Sequence, residues 1–361
     1  MAFPANHQRA VTLRELAKEV GVSPSTVSRV LNRDPNVRVS ETSRSRILDL
    51  AAATGYRPNR LARSLKLQRT NVIGMLIPDI TNPLFSALFR AVDEVASAAG
   101  YHVILCNTGD SADRLRQHLD ALSEGHVDGL LLATAHRTDP VVETLRRRRL
   151  PYILVSRRNE NSDEAWVVPD DRQGAHLAVE HLVKLGHQRI AHIAGSTEIS
   201  RTADRLNGYR DAMESFGLIE SVWLAPPGGL DETAGERGLA QLLDRPKEQK
   251  PTAVFAANDL AALGVITMAR RMGLLVPEDL SVVGCDDIPM SRYVQPSLTT
   301  IRYPFDDMGR VAMQHLIQLI NGDALPDQVL PQIALPVELV VRESTVRPRV
   351  TGQPLGDSLD I

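Results

Sequence analysis

From residue 72 onward, short continuous apolar runs alternate with longer amphipathic stretches, and this pattern narrows the fold more than anything else in the chain. The runs are VIGMLI (72–77), YHVILC (101–106), DGLLL (128–132) and PYILV (151–155), with helical periodicity over about 84–99, 111–124 and 140–148. A second series follows, with helices over about 171–185, 201–216, 231–244 and 259–272 around RIAHIA (189–194), a strand near 222–224, TAVFA (252–256) and SVVG (281–284). Apolar strands with no polar alternation are buried on both faces, which predicts parallel sheets covered by helices on each side. Two such series predict an α/β body of two doubly wound lobes.

In open α/β sheets ligands sit beyond the carboxyl ends of the strands. The residues just past each run are Asp79 and Asn82, Ala133, Ser156 to Arg158, the 196–205 loop with Arg205, Asn258 with Asp259, and Asp286 with Asp287. They come from both lobes, so a small molecule held between them would change the angle between the lobes on closure.

The first seventy residues are of another kind. They hold 13 Lys and Arg against 5 Asp and Glu, while the remaining 291 hold 28 against 39, so a net charge of −3 conceals a basic head on an acidic body. A polyanion is the implied partner of the head. In VTLRELAKEVGVSPSTVSRVLN (11–32), Thr12 and Glu15 make a capping box, and Leu13, Leu16, Ala17 and Val20 mark one helix face. Gly21 allows the turn, Ser23 caps the second helix and Pro24 fills its first position. Val27, Val30 and Leu31 face the first helix, leaving Pro24, Ser25, Ser28, Arg29 and Asn32 outward. This is a helix-turn-helix, whose second helix lies in the major groove of DNA. Arg29 suits guanine O6 and N7, Ser25 suits base edges, and Thr26, Ser28 and Asn32 suit phosphates. The plain alternative is a helical hairpin packed into a core. A third helix runs from a Ser40 cap through Ile47, Leu50 and Ala51 to Gly55.

In YRPNRLARSLKLQRT (56–70), Leu61, Ala62 and Leu65 share one side, flanked by Arg60, Arg63 and Lys66. So short a helix needs a partner. Apolar side chains flanked by arginines can wedge between base steps from the minor groove, whereas the alternative is a basic linker.

Other classes are disfavoured. The first thirty residues have no apolar run of the signal-peptide kind and no segment approaches the length of a membrane span, so the expected location is the cytoplasm. Cys106 and Cys285 sit alone in apolar runs, as buried thiols would. No dinucleotide fingerprint, phosphate-binding loop, nucleophile elbow or metalloprotease helix is present, so no enzyme and no cofactor are expected. His181 and His187 read as surface and loop-capping residues, the RRRR run at 146–149 as a solvated helix end, and Asp286 with Asp287 as a poor metal pair.

The motifs VTLRELAKEVGVSPSTVSRVLN, GYRPNRLARSL, IGMLIPDITNPLF, HLVKLGHQRIAHIAG, RLNGYRDAM, ANDLAALG and SVVGCDDIPMSRYVQPSLTTI occur in order over roughly residues 11–345. In these the chain resembles the LacI/GalR family of bacterial transcription regulators. The resemblance implies a homodimeric repressor of a carbohydrate or related catabolic operon, on a pseudo-palindromic operator with a central CG step. It assigns Pro24, Ser25 and Arg29 to bases, and Thr26, Ser28, Asn32 and Ser40 to phosphates. It makes Leu65 a lever inserted at the central step, with Ala62 and Lys66 facing the minor groove. Arg205 and Asp286 would clasp a small effector, with Asn258 beside them, Phe305 lying on it, and Asp79, Asn82 and Phe85 reaching it from the other lobe.

Ser156 stands where many sugar-binding members have Asp, Leu230 near where an aromatic often stacks, and Arg157 and Arg158 follow Ser156. Fewer acceptors and more cationic donors suit a sugar acid better than a plain hexose. A nucleoside or purine corepressor is the alternative effector. The rival classes are a solute-binding protein, which would need an export signal, and a sugar-modifying enzyme, which would need a base or nucleophile. The implied domains are 11–57 for the helix-turn-helix, 58–70 for the hinge and 71–345 for the body. Within the body the first lobe takes 71–164 and 300–330, the second 165–299 and 331–345, and a disordered tail follows over 346–361.

Overall fold

The computed structural model describes residues 11–32, 34, 36–56, 69–123, 125–138, 141–160, 163–224, 229–322 and 331–349, with the side chains of residues 223 and 224 excepted. Ala62, Leu65 and Lys66 lie outside the described residues, as does the tail from 350 onward. The chain divides into two compact units between Thr70 and Asn71.

In the first unit, α1 (Leu13–Val20) starts at a capping box in which the Glu15 amide donates to Thr12 Oγ1 at 3.3 Å and the Thr12 amide to Glu15 Oε2 at 2.8 Å. It stops at Gly21, whose φ of 77° a side chain would resist. Helix α2 (Pro24–Leu31) is capped by Ser23, which accepts the Thr26 amide at 3.0 Å, and α3 (Glu41–Thr54) is capped by Ser40. Leu16, Ala17, Val27, Val30, Val37, Ile47 and Ala51 form the buried core of this unit.

The body opens with β1 (Val72–Ile77), α4 (Leu84–Ala98), β2 (His102–Asn107), α5 (Ala112–Ser123), β3 (Gly129–Leu132), α6 (Val141–Arg148), β4 (Tyr152–Val155) and β5 (Trp166–Pro169). It continues with α7 (Asp171–Lys184), β6 (Ile190–Ala194), α8 (Ser200–Ser215), β7 (Val222–Leu224), α9 (Glu232–Leu243), β8 (Ala253–Ala256), α10 (Asp259–Arg271) and β9 (Ser281–Asp286). The last elements are β10 (Thr299–Arg302), α11 (Phe305–Asn321), β11 (Gln332–Leu335) and β12 (Glu338–Val340). The first sheet has the order β11-β5-β4-β3-β1-β2, every neighbouring pair parallel. The second has the order β12-β10-β9-β8-β6-β7, parallel except for the antiparallel edge strand β12. Helices α9 and α10 approach backbone to backbone at paired glycines: a Cβ on Gly235 would strike the Ala261 carbonyl, and one on Gly264 the Glu232 carbonyl.

The sheets correct the lobe limits expected from the sequence. Strand β5 extends the first sheet, so the first lobe runs past 164 to about residue 169. Strand β10 belongs to the second sheet, so the chain returns to the first lobe after 302, not at 300. Strand β11 pairs with β5, placing 332–335 in the first lobe and leaving β12 to the second. The last two are short edge strands of alternating exposure that lack a continuous apolar run. Residues 346–349, expected in the tail, are held against the body. The Val346 amide donates to Ser281 Oγ at 3.0 Å, and Arg349 pairs with Asp279 at 2.7 Å. His187 holds the same segment, bonding the Val346 carbonyl through Nε2 at 2.8 Å and Thr252 through Nδ1 at 2.9 Å.

Candidate functional site

On the helical unit, Pro24, Ser25, Arg29 and Ser40 are exposed, and Thr26, Ser28 and Asn32 are half-buried. Arg29 Nε donates to Asp34 Oδ2 at 3.0 Å, which fixes the guanidinium on the outward side of α2. The amide of Asn36 holds the Asp34 carboxyl below its usual range, helped by Arg29. The residues expected at phosphates already have local bonds. Asn32 Nδ2 donates to the Ser28 carbonyl at 2.6 Å, Thr26 Oγ1 shares a bond with Ser23 Oγ at 2.9 Å, and Ser40 Oγ caps α3. The face is thus braced before any nucleic acid arrives.

In the body, strand ends from both lobes surround a cavity of about 490 Å³. Asp79, Asn82, Phe85, Ser156, Arg157, Arg205, Asn258 and Asp286 all line it. Asn258 caps α10, its Oδ1 accepting the Ala261 amide at 2.9 Å, and Asn82 Oδ1 accepts the Leu84 amide at 3.1 Å in the turn that leads into α4. Asn258 Nδ2 is spent on the Leu230 carbonyl at 2.8 Å, and exposed Asp79 is folded back on Thr81. Backbone strain gathers here too, since Ser156 has φ 66°, Asp286 φ 120° and Asp287 φ 54°. Those turns send the two neighbouring carboxylates apart. Asp286 faces the cavity, while Asp287 is taken by Arg302 and Arg342. Among the described residues no group of three or more His, Cys, Asp or Glu could hold a metal ion.

One expectation needs correction. Phe305 does not line the cavity; its ring lies under the Arg201 guanidinium, 5.6 Å from ring centre to Cζ, with Tyr303 nearer still at 4.7 Å. Arg205 and Asp286, expected to clasp an effector, both line the cavity and each has its own partner. Arg205 Nε donates to Asp171 Oδ1 at 2.7 Å and its Nη1 to the Ala257 carbonyl, a strand-end tether, whereas Asp286 Oδ1 is met by Arg201 Nη2 at 3.2 Å. The RRRR run is exposed at the end of α6, as expected, with Arg146 paired to Glu164 and Arg148 to Asp120.

Arg201 and Asp171 were not singled out by sequence reasoning. Arg201 is 6% exposed and reaches Asp286, Asp171 Oδ2 at 3.4 Å and Ser156 Oγ at 3.3 Å, the last from the other lobe. It precedes Arg205 by one helical turn, so i,i+4 spacing could have found it. Asp171 also accepts from the Tyr303 hydroxyl at 2.7 Å, and it follows β5, a strand the sequence reading passed over. Burial opposes the Arg205 charge, but Tyr303 and Asp171 outweigh it and hold its pKa well above normal. Burial pushes the Asp286 carboxyl above its usual range against the pull of Arg201 and Arg205. Asp259, beside it, is pushed up to about 7 by burial and then by Asp286.

Residues 12–59 match the model of bacterial regulatory proteins of the lacI family, and residues 179–345 that of the periplasmic binding protein-like domain. The ribose operon repressor of Halalkalibacterium halodurans is 37% identical over 92% of this chain and 97% of its own. Among solved structures, the lac repressor dimer bound to operator and the anti-inducer ONPF superposes with a TM-score of 0.81, 29% identical, over 94% of this chain and 100% of that one. A LacI family transcriptional regulator from Enterococcus faecium with bound ribose gives a TM-score of 0.67, 31% identical, over 77% of this chain and 100% of that one. With its basic helix-turn-helix and its two-lobed body around a polar cleft, the chain belongs to the lacI family of bacterial regulatory proteins.

Proposed function

We propose that the chain represses a carbohydrate or related catabolic operon as a homodimer, and that its effector is a small hydroxylated acid, of the sugar-acid class, taken between the lobes. The observation that carries the effector class is Arg201, a buried guanidinium facing the cavity with three contacts of 3.2–3.4 Å, all longer than a strong charge-assisted bond. An incoming carboxylate offers it a better partner than Ser156 Oγ does. Asp286 and Asn82 then supply an acceptor and a donor for hydroxyls. A nucleoside or purine is supported less, because Phe85 is the one aromatic among the lining residues. The pocket works as a receptor and not as a catalyst, and the chain acts where the DNA is, in the cytoplasm. Among the described residues no helix is long and apolar enough to cross a membrane.

On the DNA side, Pro24, Ser25 and Arg29 read a half-site and Thr26, Ser28, Asn32 and Ser40 position it. Leu65, with Ala62 and Lys66, wedges at a central CG step of a pseudo-palindrome. The effector acts only through its differential affinity for the two lobe arrangements, a coupling of about 1–3 kcal/mol. A thermal-shift screen of sugars, sugar acids and nucleosides tests the class, since a ligand of the folded state raises its stability. Stabilisation by sugar acids, with a change in operator affinity in the same samples, is the expected result. Stabilisation by nucleosides alone would overturn the effector class.

A further inference from the structure

Beside the cleft lies a second cavity of about 290 Å³, which shares Asp110 with it. Its walls have an opposite chemistry. Thr108, Ser111, Thr134 and Thr138 contribute four hydroxyls, and Asp110 and Glu198 two carboxylates, while no Lys or Arg stands among its described lining residues. Thr134 Oγ1 is buried and has no hydrogen-bond partner among the described residues, the residue being 2% exposed. A buried hydroxyl left unpaired is costly, and each one in a native protein calls for a reason.

The position of the cavity gives it leverage. Glu198 belongs to the second lobe and the other lining residues to the first, with His136 between the carboxylates, 3.6 Å from Asp110 and 3.9 Å from Glu198. Asp110 is in turn paired with Arg157 of the cleft at 2.7 Å. Burial opposes the Asp110 charge, yet His136 and Arg157 hold its carboxyl well below the usual range, so it stays an acceptor.

We infer that this cavity is a second subsite, taking an uncharged hydroxyl-rich group whose hydroxyls bond Thr134 and the carboxylates Asp110 and Glu198. An anion is disfavoured by those carboxylates, and an apolar group would leave Thr134 unpaired. The group has two sources: a free neutral sugar, or the neutral unit of an effector whose acid end lies against Arg201. The second source rests on the sugar-acid reading of the cleft; the first does not.

Isothermal titration of the full-length protein with glucuronic acid, glucuronosyl-xylose and xylose separates them, using the wild type, Thr134→Val and Glu198→Gln. For a linked occupant, glucuronosyl-xylose binds wild type about fivefold or more tighter than glucuronic acid, as one net hydrogen bond would give. Both variants lose that advantage while binding glucuronic acid unchanged. For a free occupant, xylose binds wild type already saturated with glucuronic acid, and both variants lose it. Thr134→Val keeps shape and removes an unpaired hydroxyl, so an unchanged melting temperature certifies its fold. The subsite is refuted if the disaccharide has no advantage and xylose does not bind, or if binding is the same in the variants. Should glucuronic acid itself fail to bind, the cleft reading falls, and titration of xylose alone still decides the subsite.

Discussion

Arg201 and Arg205 share a helix face and a carboxylate partner, but the geometry assigns them different costs, and substituting each by Ala tests this. Arg205 is 2% exposed, and its bond to Asp171 is 2.7 Å long, with a second bond to the Ala257 carbonyl at the end of β8. Its removal leaves Asp171 with only the long bond from Arg201 and the Tyr303 hydroxyl, and it leaves Ala257 without that donor. Removing one partner of a buried pair costs about 3–5 kcal/mol. Arg201 makes only long contacts, and when it goes Asp171 keeps Arg205 and Tyr303. Asp286, already pushed toward protonation by burial, relieves its own charge by binding a proton. The expected cost of Arg201→Ala is therefore about 1–2 kcal/mol, near that of an ordinary hydrogen bond. At ~2–4 °C per kcal/mol for a large domain, Arg205→Ala melts roughly 6–20 °C below wild type and Arg201→Ala roughly 2–8 °C below. Calorimetry reads the melts, and thermal shift with the effector reads the function: Arg201→Ala stays folded at 25 °C and loses the ligand response. If the two variants melt together, or Arg205→Ala is the milder, contact length is a false guide here and the division of labour is wrong.

Other parts of the molecule make further predictions. Gly235→Ala drives a methyl into the Ala261 carbonyl and should cost about 1–3 kcal/mol despite the better helix propensity of Ala; an unchanged urea midpoint would show that α9 and α10 separate freely. His192 is fully buried between Phe255 and Tyr209, with burial pushing its pKa down to about 3. A folded pKa below the unfolded value of about 6.5 means stability that is present above pH 6.5 and lost as pH falls toward 3, by up to about 1.4 kcal/mol per unit. Denaturation of His192→Phe against wild type should thus show the wild type losing about 2 kcal/mol more between pH 6.5 and 5, and parallel curves would contradict it. On operator DNA, Arg29→Ala should cost about 1–3 kcal/mol of discrimination at one base pair with little loss on random duplex. Leu65→Ala should likewise weaken specific binding far more than nonspecific binding, an equal loss in both disproving the wedge.

The sequence was legible where one physical signal dominated. Caps at Thr12, Ser23 and Ser40 and the turn at Gly21 marked three helices to within a residue. Uninterrupted apolar runs did the same for the central strands, because burial on both faces leaves no polar alternation. Strands β10, β11 and β12 escaped because the polar TTIR and the half-exposed edges QIAL and ELV carry no such run, and the lobe limits slipped with them. In the cleft, the strand-end rule named residues placed by topology, seven of which line the cavity: Asp79, Asn82, Ser156, Arg157, Arg205, Asn258 and Asp286. It could not find Arg201, whose role comes from a helical turn, nor tell that Asp171 rather than Asp286 would hold Arg205, because only packing decides between two carboxylates.

The contacts across the cleft bear on how an effector can move this body. Along one edge the lobes are already joined: Arg158 of the first lobe makes a two-bond pair with Asp204, its amide donates to Ser200 Oγ at 2.9 Å, and Arg137 donates to the Thr197 carbonyl at 3.0 Å. The Arg201 bond to Ser156 is the innermost of these links and the weakest of them by length, 3.3 Å. A carboxylate arriving at Arg201 exchanges that link for a stronger one, and whether closure is favoured depends on what the ligand then offers to the first lobe. If it bonds Asn82 or Arg157, closure gains; if it satisfies only Arg201 and Asp286, the first lobe has lost a contact and opening gains. One net hydrogen bond is worth about 0.5–1.5 kcal/mol, comparable to the coupling of about 1–3 kcal/mol expected of such a regulator. Ser156→Ala therefore isolates the exchange. It removes the competing link without touching the charges, so an acid should bind it up to about fivefold more tightly while shifting operator affinity less than in wild type. Tighter binding with undiminished coupling would mean that the Ser156 link is no part of the switch.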